Sequence, residues 1–294
     1  MYDVIIIGAG ISGMTAALYS LRANLKVLLL EKNVYGGQII NSPYVENYPA
    51  VPDTDGATIC KRLFDQLNKF NYDYKNEEVI EIVDKNTLKT NKNTYTTKTI
   101  IIATGLSQRK LGLNNEEKLI GRGISYCATC DGAFFRHRDV AVIGGGNVAL
   151  EDALYLSGVC DNVYMIVRRD IFRGDPTLVD RVKEANNIEI IYNSQVKELI
   201  GDEYLTGVVL DNGDKLSING LFVAIGYEPN NKFVANLIEL DDYGFIKSKD
   251  TETNIDNIFA SGDTRTKDIR QLVTAASDGA IAATKAINYI NINK

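Results

Sequence analysis

Histidine is nearly absent from this chain of 294 residues: His137 is the only one. Cysteine is scarce too, with Cys60, Cys127, Cys130 and Cys160 the full set. Four thiols are too few for a disulfide scaffold in a chain this long, which points to a reducing cytoplasm. There is no basic excess: 32 Lys and Arg stand against 38 Asp and Glu, a net charge of −6, so no nucleic-acid footprint is written here. No apolar run approaches the roughly 20 residues that a membrane span needs. The apolar start, Val4 to Ile7, runs directly into Gly8-Ala9-Gly10 and lacks the basic leader and cleavage site of a signal peptide. No low-complexity linker interrupts the chain. What remains is an ordinary soluble composition, 45% hydrophobic and 24% charged, long enough for two domains.

Two glycine-rich turns stand out. Val4-Ile5-Ile6-Ile7 reads as a buried parallel strand, Gly8-Ala9-Gly10-Ile11-Ser12-Gly13 follows, and Met14 to Arg22 reads as helix. This is the strand–turn–helix setting that a dinucleotide fingerprint requires. Gly8 serves the tight turn, Gly10 lets backbone approach a pyrophosphate, and Gly13 lets helix and strand pack closely. The next strand, Lys26 to Leu30, ends at Glu31, 23 residues after Gly8. A carboxylate there accepts from a ribose 2′-OH, so the site suits an unphosphorylated adenosine ribose. FAD and NAD both meet that condition.

The second turn repeats the pattern with one change. The strand Asp139 to Ile143 leads into Gly144-Gly145-Gly146-Asn147-Val148-Ala149, and Leu150 to Ser157 reads as helix. The following strand, Asn162 to Val167, ends at Arg168, joined by Arg169 and Arg173. A carboxylate would repel a 2′-phosphate, whereas guanidinium groups bind it bidentately, so this site reads as one for NADPH.

Between the turns lies Cys127-Ala128-Thr129-Cys130-Asp131. A zinc site needs at least three protein ligands, and the chain has no second CxxC and one His. A thioredoxin-like domain would put the pair at the start of its own helix in a different strand pattern. The reading that fits the order of motifs is a redox dithiol placed against a flavin, with an inert structural pair as the alternative. Exchange needs a thiolate and a proton for the leaving sulfur, and Asp131 is the candidate acid or base. Its other role is turn chemistry with Gly132. Cys60 and Cys160 read as ordinary thiols and His137 as a surface residue.

The chain reads as an interrupted α/β domain: residues 1–110 and 236–294 form one body, residues 111–235 the other. Each half has its glycine turn near the start and a strand ending in glycine near its end, Thr99 to Gly105 and Leu221 to Gly226. Tyr95 to Thr97 is read as a separate strand before the first of these. The tail adds a strand ending in Gly262-Asp263 and a long Ala-rich helix from Leu272.

With these pieces assembled, the chain resembles the bacterial-type, low-molecular-weight thioredoxin reductases over nearly its full length. The resemblance rests on the CATCD run within Gly121 to Gly132, on Gly36-Gly37-Gln38, Glu46-Asn47-Tyr48-Pro49, Gly262-Asp263 and Arg270-Gln271. It implies two Rossmann-like nucleotide-binding domains of three-layer ββα form, the second inserted in the first. It implies FAD contacts at Gly8, Gly10, Ile11, Ser12, Gly13, Glu31, Lys32, Gly36, Gly37, Gln38, Asn47, Val79, Thr104, Gly105, Gly262, Asp263, Arg270, Gln271 and Leu272. NADPH contacts are implied at Gly144, Gly145, Gly146, Asn147, Val148, Ala149, Arg168, Arg169 and Arg173. It further implies a Cys127–Cys130 redox disulfide, a thioredoxin or thioredoxin-like protein as acceptor, and a homodimer. Two positions depart from the family: Val167 where a His is frequent, and Leu272 where an Ala is frequent. Dithiol oxidases and ferredoxin-dependent flavoproteins are the related alternatives, and the Arg trio favours NADPH as donor.

Overall fold

The structure, a computed structural model, describes residues 1–42, 44–52 and 54–293. β1 (Tyr2–Ile7) is a β-branched run, buried from Val4 onward. Helix α1 (Ile11–Arg22) begins three residues earlier than the sequence suggests. Gly13 makes this possible, because a Cβ there would stand 1.8 Å from the Gly8 carbonyl oxygen. β2 (Val27–Glu31) pairs in parallel with β1, and β3 (Asp73–Asn76) with β2. Between them α2 (Gly56–Leu67) is capped by Asp55, which accepts from the Thr58 amide at 2.7 Å.

β4 (Val79–Asp84), β5 (Thr87–Thr90) and β6 (Thr94–Ile102) form an antiparallel meander. The two strands expected at Tyr95–Thr97 and from Thr99 are a single strand. Lys98 does not break it, since its ammonium reaches Asp3 at 2.7 Å while the backbone changes partner. Thr96 lies opposite Thr87 of β5, and the next residue, Thr97, opposite Tyr2 of β1.

After β7 (Leu106–Gln108) the chain forms α3 (Glu116–Leu119), β8 (Ile124–Ser125), α4 (Ala128–Asp131), β9 (Asp139–Ile143), α5 (Asn147–Ser157), β10 (Asn162–Val167), α6 (Pro176–Glu184) and β11 (Ile188–Tyr192). Three antiparallel strands follow, β12 (Val196–Ile200), β13 (Gly207–Leu210) and β14 (Lys215–Leu216). Then come β15 (Gly220–Val223), β16 (Tyr227–Pro229), β17 (Ile258–Ala260) and α7 (Leu272–Ile292).

The chain divides into two compact units, residues 1–107 with 228–294, and residues 108–227. The return to the first unit therefore comes near residue 228, earlier than the sequence boundary of 236. Asn231 ties this stretch down. It is 1% exposed, donates to the Gly244 and Thr264 carbonyls, and accepts from the Thr104 and Thr264 hydroxyls.

Both units are Rossmann-like and share one design. In the first, the parallel core runs β3-β2-β1-β6 with β17 also on β6. Val4, Ile6, Val27, Leu29 and Ile101 face a core shared with α1, α2 and α7. Ile5, Ile7, Leu28, Leu30, Ile100 and Ile102 face the other side, against Val79, Ile82 and Leu88 of the meander. The two-residue period of the strand sorts the run onto both faces. In the second unit the parallel order is β11-β10-β9-β15-β8. Val140, Val142, Val163 and Met165 pack against α5 and α6, while Ala141, Ile143, Ile166 and Leu221 pack against β13 and its neighbours.

Candidate nucleotide and dithiol sites

In the first unit Gly8 has φ +103°, and a Cβ on it would lie 2.4 Å from the Ala103 carbonyl oxygen, so only glycine fits. Gly10 differs, since its nearest neighbour to a Cβ would be Gly37 Cα at 3.9 Å, leaving open space. Gly10 also starts α1 with no capping side chain and no acidic residue in the first turn. The unpaired first-turn N–H groups and the helix dipole favour an anion there. The Glu31 carboxylate is held against the turn, accepting from Ala9 N at 2.8 Å and Asn33 N at 2.9 Å. Gly36 N donates to Ala9 O at 2.8 Å, which brings Gly37 and Gln38 to the same turn, and Gln38 donates to Leu106 O at 2.7 Å.

The tail completes this region. Asn47 donates to Gln271 Oε1 at 3.1 Å, and Gln271 caps α7. Asp263 Oδ1 and Arg270 Nε are buried and make no hydrogen bond. Burial raises the Asp263 carboxyl above its usual range against the pull of Lys267 and Arg270. Buried polar atoms without partners are rare, and a bound group with hydroxyl donors and phosphate acceptors would satisfy both. Other expected contact residues have committed side chains. Ile11 and Val79 sit in the two cores, and Leu272 packs on the first of them. The Ser12 hydroxyl is bonded to Ser261 at 2.5 Å, Thr104 to Thr264, and Lys32 lies 4.0 Å from Glu78 at the surface. Gly105 and Gly262 both take positive φ, at +61° and +76°.

The second unit repeats the turn. Gly144 has φ +145° with a Cβ position 2.3 Å from Ala224 O, while Gly146 faces open space and starts α5 with no capping side chain. A cavity of about 520 Å³ lies over this turn. Gly144, Gly145, Gly146, Asn147, Val148, Arg168, Arg169 and Arg173 all line it. Ala149 lies beneath, buried against α5's own core. Arg168, Arg169 and Arg173 are exposed, and no carboxylate among the described residues pairs with them. The loop that carries them is tied over the turn, since Arg173 N donates to Gly145 O at 2.7 Å and Asp175 N to Asn147 Oδ1 at 2.7 Å. Asn147 thus orders the arginine loop.

Cys127 and Cys130 are joined as a disulfide with Cα atoms 5.3 Å apart. Cys127 is the N-cap of α4 and Cys130 lies within its single turn, so the pair does occupy a helix start, within a nucleotide-binding unit. Cys127 is half-buried and Cys130 exposed. Cys127 N donates to Ser125 Oγ at 3.0 Å, and Ser125 Oγ to Asp131 Oδ2 at 2.7 Å, so one hydroxyl links Asp131 to the disulfide backbone. Gly132 has helical φ, −57°, and a Cβ there would meet the Tyr155 ring at 2.8 Å. Its smallness serves packing on α5 and not a turn. Cys60 and Cys160 are buried, which raises both thiols to about 11. His137 is a surface residue facing Asp161 at 3.4 Å.

Residues 2–279 match the family described as pyridine nucleotide-disulphide oxidoreductase. The chain belongs to this family. Among its relatives, the thioredoxin reductase of Listeria monocytogenes is 42% identical over 300 residues, covering 99% of this chain and 94% of that protein. That of Bacillus subtilis is 38% identical over 300 residues, covering 99% and 95%. The solved thioredoxin reductase of Lactococcus lactis has a TM-score of 0.86 at 38% identity, covering 99% of this chain and all of that one.

Membership of the pyridine nucleotide-disulphide oxidoreductases accounts for two glycine turns and a disulfide in one chain. Sequence reasoning missed the groups that hold these parts in position. Glu116 is 2% exposed and accepts from Leu111 N, Gly112 N and the Tyr126 phenol at 2.8, 2.7 and 2.5 Å. Asp278 is likewise buried and accepts from Gly262 N, Arg265 and Lys267. The only signal was an acidic residue amid an apolar helix, Ala-Ser-Asp-Gly-Ala. No described helix is long and apolar enough to cross a membrane.

Proposed function

We propose that the chain is an NADPH-dependent flavoprotein that reduces the disulfide of a thioredoxin-like protein through Cys127 and Cys130. The observation that carries the reading is one unit holding both a nucleotide pocket edged by three unpaired guanidiniums and a disulfide with one exposed cysteine, Cys130. Arg168, Arg169 and Arg173 would hold a 2′-phosphate, and the α5 start would hold the pyrophosphate. In the first unit Gly10, Glu31, Asp263 and Arg270 would hold FAD, with the two orphaned polar atoms finding partners on it. Bound FAD would supply the two-electron step between nicotinamide and disulfide.

The chain's own chemistry is thiol–disulfide exchange. In the reduced pair, one thiolate attacks one sulfur of the acceptor's disulfide, forming a mixed disulfide and releasing the acceptor's other sulfur as a thiolate. The second cysteine then attacks the enzyme's sulfur in that mixed disulfide, closing Cys127–Cys130 and displacing the acceptor's remaining sulfur, so that the acceptor leaves as a dithiol. The released thiolate takes a proton, and Asp131, linked through Ser125, is the proposed donor.

Cys127→Ser and Cys130→Ser test the reading. Each should abolish reduction of a thioredoxin while NADPH still bleaches the flavin absorbance. Normal disulfide reduction by either variant would refute the relay. The dimer that the family resemblance implies is checked by light scattering of the holoprotein.

A further inference from the structure

In the second unit the strand ends follow the order Arg168 after β10, Gly144 after β9, Ala224 after β15 and Tyr126 after β8. All four residues line the same cavity. The arginines mark the end for the 2′-phosphate. A dinucleotide laid across the strand ends therefore has its other base at the β15 and β8 side, where Tyr126 stands. The next residue is Cys127.

Tyr126 is held from three directions. Its phenol donates to Glu116 Oε1 at 2.5 Å, its carbonyl accepts from Gln108 Nε2 at 2.8 Å, and its chain neighbours Ser125 and Cys127 are bonded to each other at 3.0 Å. Glu116 is buried and spends its remaining acceptors on the amides of Leu111 and Gly112, and Leu111 lines the cavity as well. One buried carboxylate thus holds two walls at the same end of the pocket.

We propose that Tyr126, anchored on Glu116, is a positioning residue that forms the wall at the nicotinamide end of the pocket and transmits that wall's position to the disulfide. The inference rests on the NADPH reading of the pocket. A nucleotide seated against the ring bears on the backbone of Cys127, and by linkage the setting of the dithiol bears on nucleotide affinity.

The test uses the holoprotein, Tyr126→Phe and Glu116→Gln. Three quantities are read: the melting midpoint, the dissociation constants of NADP+ and of adenosine 2′,5′-bisphosphate on the oxidised protein, and the alkylation rate of the reduced dithiol by iodoacetamide. Loss of the anchor should weaken NADP+ about five- to tenfold, part of the roughly ten- to hundredfold that a hydrogen bond to a charged group is worth. Adenosine 2′,5′-bisphosphate reaches only the arginine end and should bind as before. Dithiol alkylation should change severalfold. Tyr126→Phe removes one oxygen and leaves Glu116 its two amide donors, so its fold should hold with a modestly lowered midpoint. Glu116→Gln leaves a neutral acceptor for the phenol and faces one loop amide with a donor, so it weakens the same anchor from the other side and should give the same pattern in milder form. Equal weakening of both ligands, no weakening of NADP+, or an unchanged alkylation rate overturns the proposal. Failure of the wild type to bind adenosine 2′,5′-bisphosphate instead overturns the NADPH reading, and this inference with it.

Discussion

Asp278→Asn is the most demanding change that the first unit offers. The carboxylate lies beneath the 262–271 loop and has side-chain exposure of 6%, facing Arg265 at 12% and Lys267 at 7%. It receives Arg265 in bidentate fashion at 2.7 and 2.8 Å, Lys267 at 3.0 Å and the Gly262 amide at 3.0 Å. Burial works against its charge, but the hydrogen bonds and charges of Arg265 and Lys267 prevail and hold its carboxyl below the usual range. Asparagine removes the charge and leaves two buried cations facing each other. Breaking such a pair from one side costs about 3–5 kcal/mol. For a unit of this size, that lowers the melting midpoint by roughly 6–20 °C. The sign with pH follows from the depressed carboxyl. Its stabilisation is full above the unfolded value of about 3.9 and is lost as pH falls through the lower folded value. The gap between wild type and Asp278→Asn, read by calorimetry, should therefore be widest at pH 5–7 and close below pH 4. A second variant, Arg265→Met with Lys267→Met and Asp278→Leu, should recover most of the loss, since replacing a whole buried ionic group is often neutral. A midpoint within 2 °C of wild type at pH 7, or a gap that persists at the lowest pH, would refute the reasoning.

Arg168→Ala and Arg169→Ala should each raise the Michaelis constant for NADPH about tenfold, at the low end for charge-assisted bonds because both guanidiniums are exposed, with NADH use little changed. Equal losses for the two nucleotides would sink the 2′-phosphate assignment. Gly144→Ala should destabilise the second unit, because its φ is +145° and its Cβ would strike Ala224 O, whereas Gly146→Ala should fold normally and still bind NADPH poorly. Normal nucleotide affinity in a folded Gly146→Ala protein would show that no phosphate approaches that turn. Iodoacetamide at pH 8 should label two cysteines per chain after reduction, since Cys60 and Cys160 titrate near 11. Mass spectrometry finding either of them labelled in the native protein would contradict their burial.

The parts that were legible in the sequence are those dictated by sterics within a few residues. Gly8, Gly13 and Gly144 are spaced by what a strand–turn–helix junction tolerates, and each would clash with backbone if it carried a Cβ. The strands β1, β2, β9 and β10 declare themselves by continuous apolar runs because both faces are buried. What was not legible depends on contacts far apart in the chain. Asn231 belongs with the first unit because Thr104, 127 positions earlier, and Thr264, 33 later, take its side chain. β6 is continuous because its partner changes at Thr97, which no local pattern records. Asp278 and Glu116 read as ordinary charged residues until the fold buries them.

The duplication also explains why the two sites diverge where they do. The turns are under the same steric rule in both units, so Gly10 and Gly146 each leave open space while Gly8 and Gly144 cannot change. The residue ending the second strand is under no such rule. It lies beyond the sheet, at the edge of the turn, where a side chain meets ligand or solvent. Glu31 there is folded back onto Ala9 and Asn33, which fixes a carboxylate beside the turn. Arg168 has no such tether, and its loop is held through Asn147 and Gly145 instead. Charge can therefore be exchanged at this position without disturbing the sheet. The same freedom predicts that Arg168→Glu would fold like the wild type, by circular dichroism and melting midpoint, while rejecting adenosine 2′,5′-bisphosphate. A variant that failed to fold would mean the arginine is part of the framework and not of the site.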